Sequence, residues 1–430
     1  MKKFSIITFG CQMNVRDSHI IRQKLVKNNY IEENPENSDF VIINTCSVRK
    51  KAENKAKMYI KEYKRKGKIV IVAGCIPHHE KDKLFEIGAD IIIGTRDYPF
   101  IDKIIKEWEK DKSKRLFLNF SKEEVFERIE EPFDISTFVE IMHGCDNFCS
   151  FCVVPYTRGR EISRNAFEIK EEVECLIQKG VKEIVLIGQN VNSYFDGKYD
   201  FAELLEILNK ISGKFWIKYI SPHPRDFSYK VIKTIKNSEK ISRWFHMPLQ
   251  SGSNKILKLM RRDYTKEEYI DLINMIRDEL GDVVITTDII VGFPYEDERD
   301  FEDTIDVVRK VKFDMAFMFK YSKRPKTPAS FFESQVDEKI KEERLNILIN
   351  EVEKGIIERR KERIGKIYET LISGESEKYR GFSKGITREN LKILLKGEFE
   401  KGSFITCKIK DLKGRKLIGE NLKEVEKCIL

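Results

Sequence analysis

Short apolar runs rich in Ile, Val and Phe alternate with longer charged stretches of helical periodicity between residues 4 and 319. Runs of this length and composition suit buried parallel strands joined by crossover helices, so the pattern predicts an α/β fold. Three of the runs share one design. The run 4–9 leads into Gly10-Cys11, 40–45 into Cys46 and 69–74 into Cys75. Helical stretches follow at 17–28, 52–66 and 79–87, and 90–94 reads as a fourth strand without a Cys. The Cys-to-Cys spacings of 35 and 29 residues each accommodate one βα unit. Parallel strands joined by crossovers all end on one edge of the sheet, and open sheets bind ligands at that edge. Cys11, Cys46 and Cys75 are therefore expected to converge in space. A single such thiol would be unremarkable core packing; three at the same topological position are not.

Six further runs follow, at 138–142, 183–187, 215–220, 244–247, 283–291 and 314–319, separated by helical spacers. Six βα units predict an open, partial TIM-type (βα)6 barrel, with its chemistry at the C-terminal ends of the strands. Directly after the first run comes Cys145-Asp146-Asn147-Phe148-Cys149-Ser150-Phe151-Cys152. With three thiols in eight residues, the segment reads as a loop wrapped round something that binds sulfur. Thiolates hold zinc and iron–sulfur clusters, and three ligands leave a further position open for chemistry. The other strand ends carry polar, Gly and Pro residues: Gly188-Gln189-Asn190, Ser221-Pro222-His223-Pro224, 247–253 and Gly292-Phe293-Pro294.

Three units are expected: residues 1–118, 131–365 and 366–430. Residues 111–135 read as a connector with a strand near 115–119. Asp337 is a candidate N-cap for a long charged helix to about residue 363. The last unit changes to short runs at 367–372, 379–383, 391–395 and 403–409, set apart by Gly374, Gly385, Gly397 and Gly402. It predicts a small all-β, OB-like barrel. It carries 15 of the chain's 80 Lys and Arg against 10 Asp and Glu. Compact basic barrels bind oligonucleotides, and a structural cap is the other reading.

Nine Cys without a secretory leader or a membrane-length apolar stretch point to a reducing, cytoplasmic setting, where thiols bind metal rather than pair. With only six His, a His-built site is disfavoured.

The cysteine loop, with an aromatic before its last Cys, looks like the signature of radical S-adenosylmethionine (SAM) enzymes. The stretches Thr8-Phe9-Gly10-Cys11-Gln12-Met13-Asn14, Asn44-Thr45-Cys46-Ser47-Val48-Arg49 and Ala73-Gly74-Cys75 resemble the N-terminal domain of the methylthiotransferases. The run 152–161, Cys-Val-Val-Pro-Tyr-Thr-Arg-Gly-Arg-Glu, is similar to the MiaB-type tRNA-modifying subgroup, and the tail resembles its TRAM barrel. Two related subgroups act on threonylcarbamoyl-adenosine in tRNA or on a ribosomal-protein aspartate. Gln12-Met13 and Arg49 side with the first subgroup. Tyr295 and Lys326 stand where the family often has Gly, which bears on local loop shape.

The resemblance implies methylthiolation of N6-isopentenyladenosine just 3′ of the tRNA anticodon. It implies one 4Fe-4S cluster on Cys145, Cys149 and Cys152 that chelates and cleaves SAM, and a second on Cys11, Cys46 and Cys75 for sulfur delivery. Zinc is the alternative for the second triad. Phe151, Arg158, Gln189, Ser221 and Gly292 are candidates for SAM contacts. An electron donor such as flavodoxin or ferredoxin, a tRNA partner and a monomeric, membrane-free enzyme complete the expectation. The rival class is an RNA-binding protein with a structural metal knuckle.

Overall fold

The computed structural model describes residues 2–47, 50–118, 126–132 and 134–422. Val48 and Arg49, residues 119–125 and 133 of the expected connector, and residues 423–430 of the expected C-terminal barrel lie outside the described residues.

Strands β1 (Lys3–Thr8), β2 (Ile31–Glu32), β3 (Phe40–Thr45), β4 (Ile69–Gly74), β5 (Ile91–Ile93) and β6 (Arg115–Phe117) form one parallel sheet in the order β2-β1-β3-β4-β5-β6. Every residue of β3 is buried, because helices cover both faces. Phe40 and Ile42 point to one side, towards Ile20, Leu25 and Ile105. Val41 and Ile43 point to the other, towards Ala56, Ile60 and Leu84. The strand order reverses between β1 and β3, which is where doubly wound sheets open a crevice for ligands. Cys11 and Cys46 follow the two strands that flank this switch point, and Cys75 follows the next.

The central unit begins with β7 (Ser136–Glu140), then the short antiparallel pair β8 (Met142–His143) and β9 (Ile162–Ser163). The strands β10 (Glu183–Ile187), β11 (Trp216–Tyr219), β12 (Trp244–His246), β13 (Val284–Val291) and β14 (Met315–Lys320) follow. They lie in two parallel three-stranded sheets, β11-β10-β7 and β12-β13-β14, joined through an Ile217–Ile241 bridge. The result is an open barrel with β7 and β14 at its edges. The Asp337 carboxylate accepts from the Lys339 amide and caps the helix Glu338–Lys361, which packs beside β14.

The tail forms a closed barrel of β15 (Ile367–Glu375), β16 (Phe382–Thr387), β17 (Lys392–Lys396), β18 (Phe404–Lys413) and β19 (Lys416–Asn421). The sequence pattern showed four strands; β19 is the fifth, and the second runs later than expected. This barrel sits against the N-terminal ends of the central strands, away from the cysteine loop. Trp216, the first residue of β11, stacks edge-on with Phe404 at 5.1 Å, and Val284 and Trp244 pack with Tyr368 and Ile393. Among the described residues no helix is long and apolar enough to cross a membrane.

Candidate active site

The N-terminal sheet presents its cysteine edge to the mouth of the central barrel. Met13 packs against Val185 and Ile187 on β10, with Phe138 and Ile220 beside them. Two buried ion pairs fasten the units together. Arg16 meets the Glu140 carboxylate of β7 at 2.5 Å, and Arg158 meets Asp17 at 2.7 Å. Thr95 Oγ1 donates to the Thr157 carbonyl at 2.9 Å, and Arg96 Nη2 to the Arg158 carbonyl at 2.9 Å.

Cys11 stands at the N-cap of the helix Gln12–Lys27 and Cys46 just beyond β3. Gly10 has φ +119°, and a Cβ there would lie 2.6 Å from the Cys46 Cβ, so these two strand ends touch only because residue 10 has no side chain. The Cys75 amide donates to the Thr45 carbonyl at 3.0 Å. Asn14 ties the edge together. Its Nδ2 donates to the Thr45 carbonyl at 2.8 Å and to Asn44 Oδ1 at 3.2 Å, and its Oδ1 accepts from the Cys11 thiol at 3.5 Å. Burial pushes the Cys75 thiol up to about 12, Arg158 pulls against this, and the nearby Cys46 and Cys11 add to it. The three strand ends that carry these thiols therefore lie side by side on one edge of the sheet.

The second triad lies in the loop that follows β8. The Cys145 amide donates to the Gly159 carbonyl at 3.2 Å, and the Gly144 amide to Gln189 Oε1. The Ser150 amide bonds the Met260 carbonyl at 3.0 Å and its Oγ the Leu259 carbonyl at 2.7 Å. These bonds fold the loop against the end of β10 and the C-terminal turn of the helix Asn254–Met260. Burial raises the Cys145 thiol to about 11 and the Cys152 thiol to about 12. Arg262 Nη1 points at Cys149 Sγ across 3.7 Å, while its Nη2 donates to the Pro248 carbonyl at 2.9 Å. Arg158, six residues after Cys152, donates to Asn14 Oδ1 at 3.3 Å, so the segment that follows the cysteine loop reaches the side chain that holds Cys11.

Among the described residues no three His, Cys, Asp or Glu side chains close on a single metal ion. Buried thiols resist ionisation until a cation joins them, and binding metal then releases their protons. Three thiols in one loop, facing a buried guanidinium, fit a polynuclear iron–sulfur group with an open iron position. The strand-end triad has the same composition.

The five candidate cofactor contacts are placed as follows. Phe151 packs with Ile256, Phe293 and Tyr321. Gln189 braces the cysteine loop, with its Nε2 buried and unbonded. Arg158 is committed to Asp17 and Asn14. Ser221 lies at φ +65°, its carbonyl accepting from the Val191 amide at 3.3 Å. The Gly292 amide donates to Glu296 Oε1 at 2.8 Å. Tyr295 and Lys326 sit at φ +67° and +66°, so they hold the left-handed backbone that Gly would adopt with less strain.

Three features escaped sequence reasoning. Arg262 gave no signal, because Arg261, at φ +56°, decides which of two adjacent arginines turns inward. Arg16–Glu140–His143 is a buried charge cluster spanning two units. Glu161, beside the loop, is raised to about 7 by burial, although Ser193 donates to it at 2.6 Å.

A profile of the radical SAM superfamily matches residues 139–308, and one of the uncharacterized protein family UPF0004 matches residues 3–94. The chain is 42% identical over 434 residues to the tRNA-2-methylthio-N(6)-dimethylallyladenosine synthase of Fusobacterium nucleatum, covering 98% of this chain and 100% of that one. The enzyme of the same name from Carboxydothermus hydrogenoformans is 43% identical, over 92% of this chain and 93% of its own. Among solved structures, the radical SAM methyltransferase TsrM of Kitasatospora setae has a TM-score of 0.59 at 11% identity, over 77% of this chain and 75% of that one. The cobalamin-dependent SAM radical enzyme OxsB has a TM-score of 0.50 at 13% identity, over 82% of this chain, which spans 56% of that longer protein. The structural likenesses show a shared fold. The full-length relatives show more: this chain belongs to the tRNA-2-methylthio-N(6)-dimethylallyladenosine synthase family of radical SAM proteins.

Proposed function

We propose that this protein adds a methylthio group to C2 of N6-dimethylallyladenosine at position 37 of tRNA, just 3′ of the anticodon. What supports the reading is that two cysteine triads stand at strand ends of two units whose facing edges are fastened by the buried pairs Arg158–Asp17 and Arg16–Glu140. A binding protein with a structural metal knuckle needs one triad and no shared mouth. The relatives' name supplies the substrate, and their full-length match supports carrying it over. That match also weighs against the threonylcarbamoyl-adenosine and ribosomal-protein subgroups.

C2 of adenine is an aromatic C–H that no acid or base ionises near neutral pH. When bound, a 4Fe-4S cluster on Cys145, Cys149 and Cys152 together with SAM supplies radical chemistry, and a second on Cys11, Cys46 and Cys75 supplies an open iron position for sulfur. The protein's own groups do the rest. Gln189 and Ser150 hold the loop in shape, and Arg262 offsets negative charge at Cys149. Asn14 and Asn44 fix the strand-end triad, while Arg16–Glu140 and Arg158–Asp17 keep the two edges facing each other and water out of the seam.

Residues 1–118, 131–365 and 366–430 divide these tasks between sulfur delivery, radical chemistry and RNA binding. A reduced flavodoxin or ferredoxin supplies electrons, and the enzyme acts as a monomer in the cytoplasm. The test is turnover by anaerobically reconstituted protein with SAM, a reductant and an anticodon stem-loop carrying dimethylallyladenosine. The expected product is the 2-methylthio nucleoside. A colourless protein that binds RNA and forms no such nucleoside would overturn the assignment.

A further inference from the structure

The two faces of edge strand β14 differ. Ala316 and Met318 pack into the core with Leu348 and Val352 of the helix Glu338–Lys361. Met315, Phe317 and Phe319 point the other way, towards the barrel interior, and remain 43%, 40% and 38% exposed. Side chains alternate along a strand. Their register partners on β13, Thr286, Asp288 and Ile290, therefore line the same face. At its upper end this wall reaches the chemistry, since Ile290 packs in one cluster with Phe151 of the cysteine loop. His246 meets Phe317 edge-on at 6.0 Å, with its Nε2 3.3 Å from Asp288 Oδ2. Barrel interiors are ordinarily filled by side chains. Here three large apolar groups are left open to water at the unclosed side of the barrel.

We propose that this wall receives the alkylated adenine of the substrate, with Phe317 and Phe319 holding its dimethylallyl chain; the inference rests on the function proposed above. The chain is branched and apolar, so it gains by covering Met315, Phe317 and Phe319. The base has a flat π-face that stacks on an aromatic side chain. From this wall the base extends towards Phe151 and the cysteine loop. The wall also discriminates. A threonylcarbamoyl group at the same nitrogen carries a carboxylate, which would have to sit beside the Asp288 carboxylate on an apolar surface, and both circumstances disfavour it.

The test compares binding of three anticodon stem-loop RNAs to the reconstituted holoenzyme: unmodified, dimethylallylated and threonylcarbamoylated. For the unsubstituted protein the alkyl chain is expected to tighten binding about tenfold or more. The double variant Phe317→Ala, Phe319→Ala is expected to lose that increment while weakening unmodified RNA much less, through the lost stacking of the base alone. It should also cleave SAM at the normal rate without RNA. Phe317→Leu, which keeps an apolar side chain, is expected to retain most of the increment and serves if the double variant does not fold. Asp288→Asn is expected to improve binding of the threonylcarbamoylated RNA selectively. Retention of the full alkyl increment by the double variant, or equal weakening towards all three RNAs, would overturn the assignment of the wall. Failure of the unsubstituted holoenzyme to methylthiolate dimethylallylated RNA would instead overturn the function, and the two results are separable.

Discussion

Arg262 aims a guanidinium N–H at Cys149 Sγ across 3.7 Å from a buried position. A donor and a positive charge at a cluster ligand favour the more negative, reduced state. Replacing Arg262 by Gln should therefore lower the midpoint potential of the cluster on Cys145, Cys149 and Cys152. The expected size is about 50 mV, equivalent to roughly 1 kcal/mol for one electron. Arg262→Lys should recover part of the shift. A redox titration followed by electron paramagnetic resonance reads the effect separately from turnover, and an unchanged potential would remove Arg262 from this role.

Glu140 is buried, which would raise its carboxyl, but Arg16 and His143 outweigh the burial and hold it at about 2. Its folded-state value lies below the ordinary carboxylate value of 4.5, so its contribution to stability is full above that pH. That contribution drains away as the pH falls from 4.5 towards 2. Glu140→Gln should destabilise the protein by about 3 kcal/mol at neutral pH, because Arg16 is left buried without its partner. The variant should also show a shallower acid slope over that window. Thermal unfolding as a function of pH measures both, and parallel slopes for the two proteins would contradict the assignment.

The far end of the C-terminal barrel carries a basic cluster. Lys416 donates to the Tyr379 hydroxyl at 2.9 Å and lies over its ring at 4.3 Å. That bond and the charges of Lys378 and Lys413 lower the Tyr379 phenol. Changing Lys378, Arg380 and Lys413 to Gln should weaken binding of the tRNA stem-loop and leave SAM cleavage intact. The slope of log affinity against log salt should fall by about 0.7–0.9 for each phosphate contact removed. Point changes serve better here than truncation, which would bare Trp216 and Trp244 at the base of the central barrel. An unchanged salt slope would mean that RNA binds elsewhere and that this barrel is a cap.

Much of this architecture is legible in the sequence. Each strand-end Cys could be placed because strand direction follows from the βα alternation alone, and that direction fixes the edge on which Cys11, Cys46 and Cys75 meet. Asp337 reads as a cap for a local reason, one carboxylate and one nearby amide. The helix Gln12–Lys27 starts five residues before its sequence pattern shows it. Asn14, Arg16, Asp17, Ser18 and His19 are all buried there, so its polar residues face the seam between units rather than solvent. Periodicity assigns such residues to the outside. β19 was missed because a barrel strand with the sequence Lys-Leu-Ile-Gly-Glu-Asn buries only Leu417 and Gly419 fully. The Phe317 wall looks like ordinary strand in the sequence, since alternation does not distinguish a filled barrel interior from an open one.

The central claim is that two cysteine triads share one mouth and divide the chemistry between them. The most direct measurement is made on the variant Cys11→Ala, Cys46→Ala, Cys75→Ala, reconstituted anaerobically beside the unsubstituted protein. Iron content, reductive SAM cleavage and methylthio nucleoside are measured on the same samples. The variant is expected to hold about half the iron, to cleave SAM, and to form no methylthio product. Methylthiolation of tRNA by this variant would contradict a role for the strand-end triad in sulfur insertion.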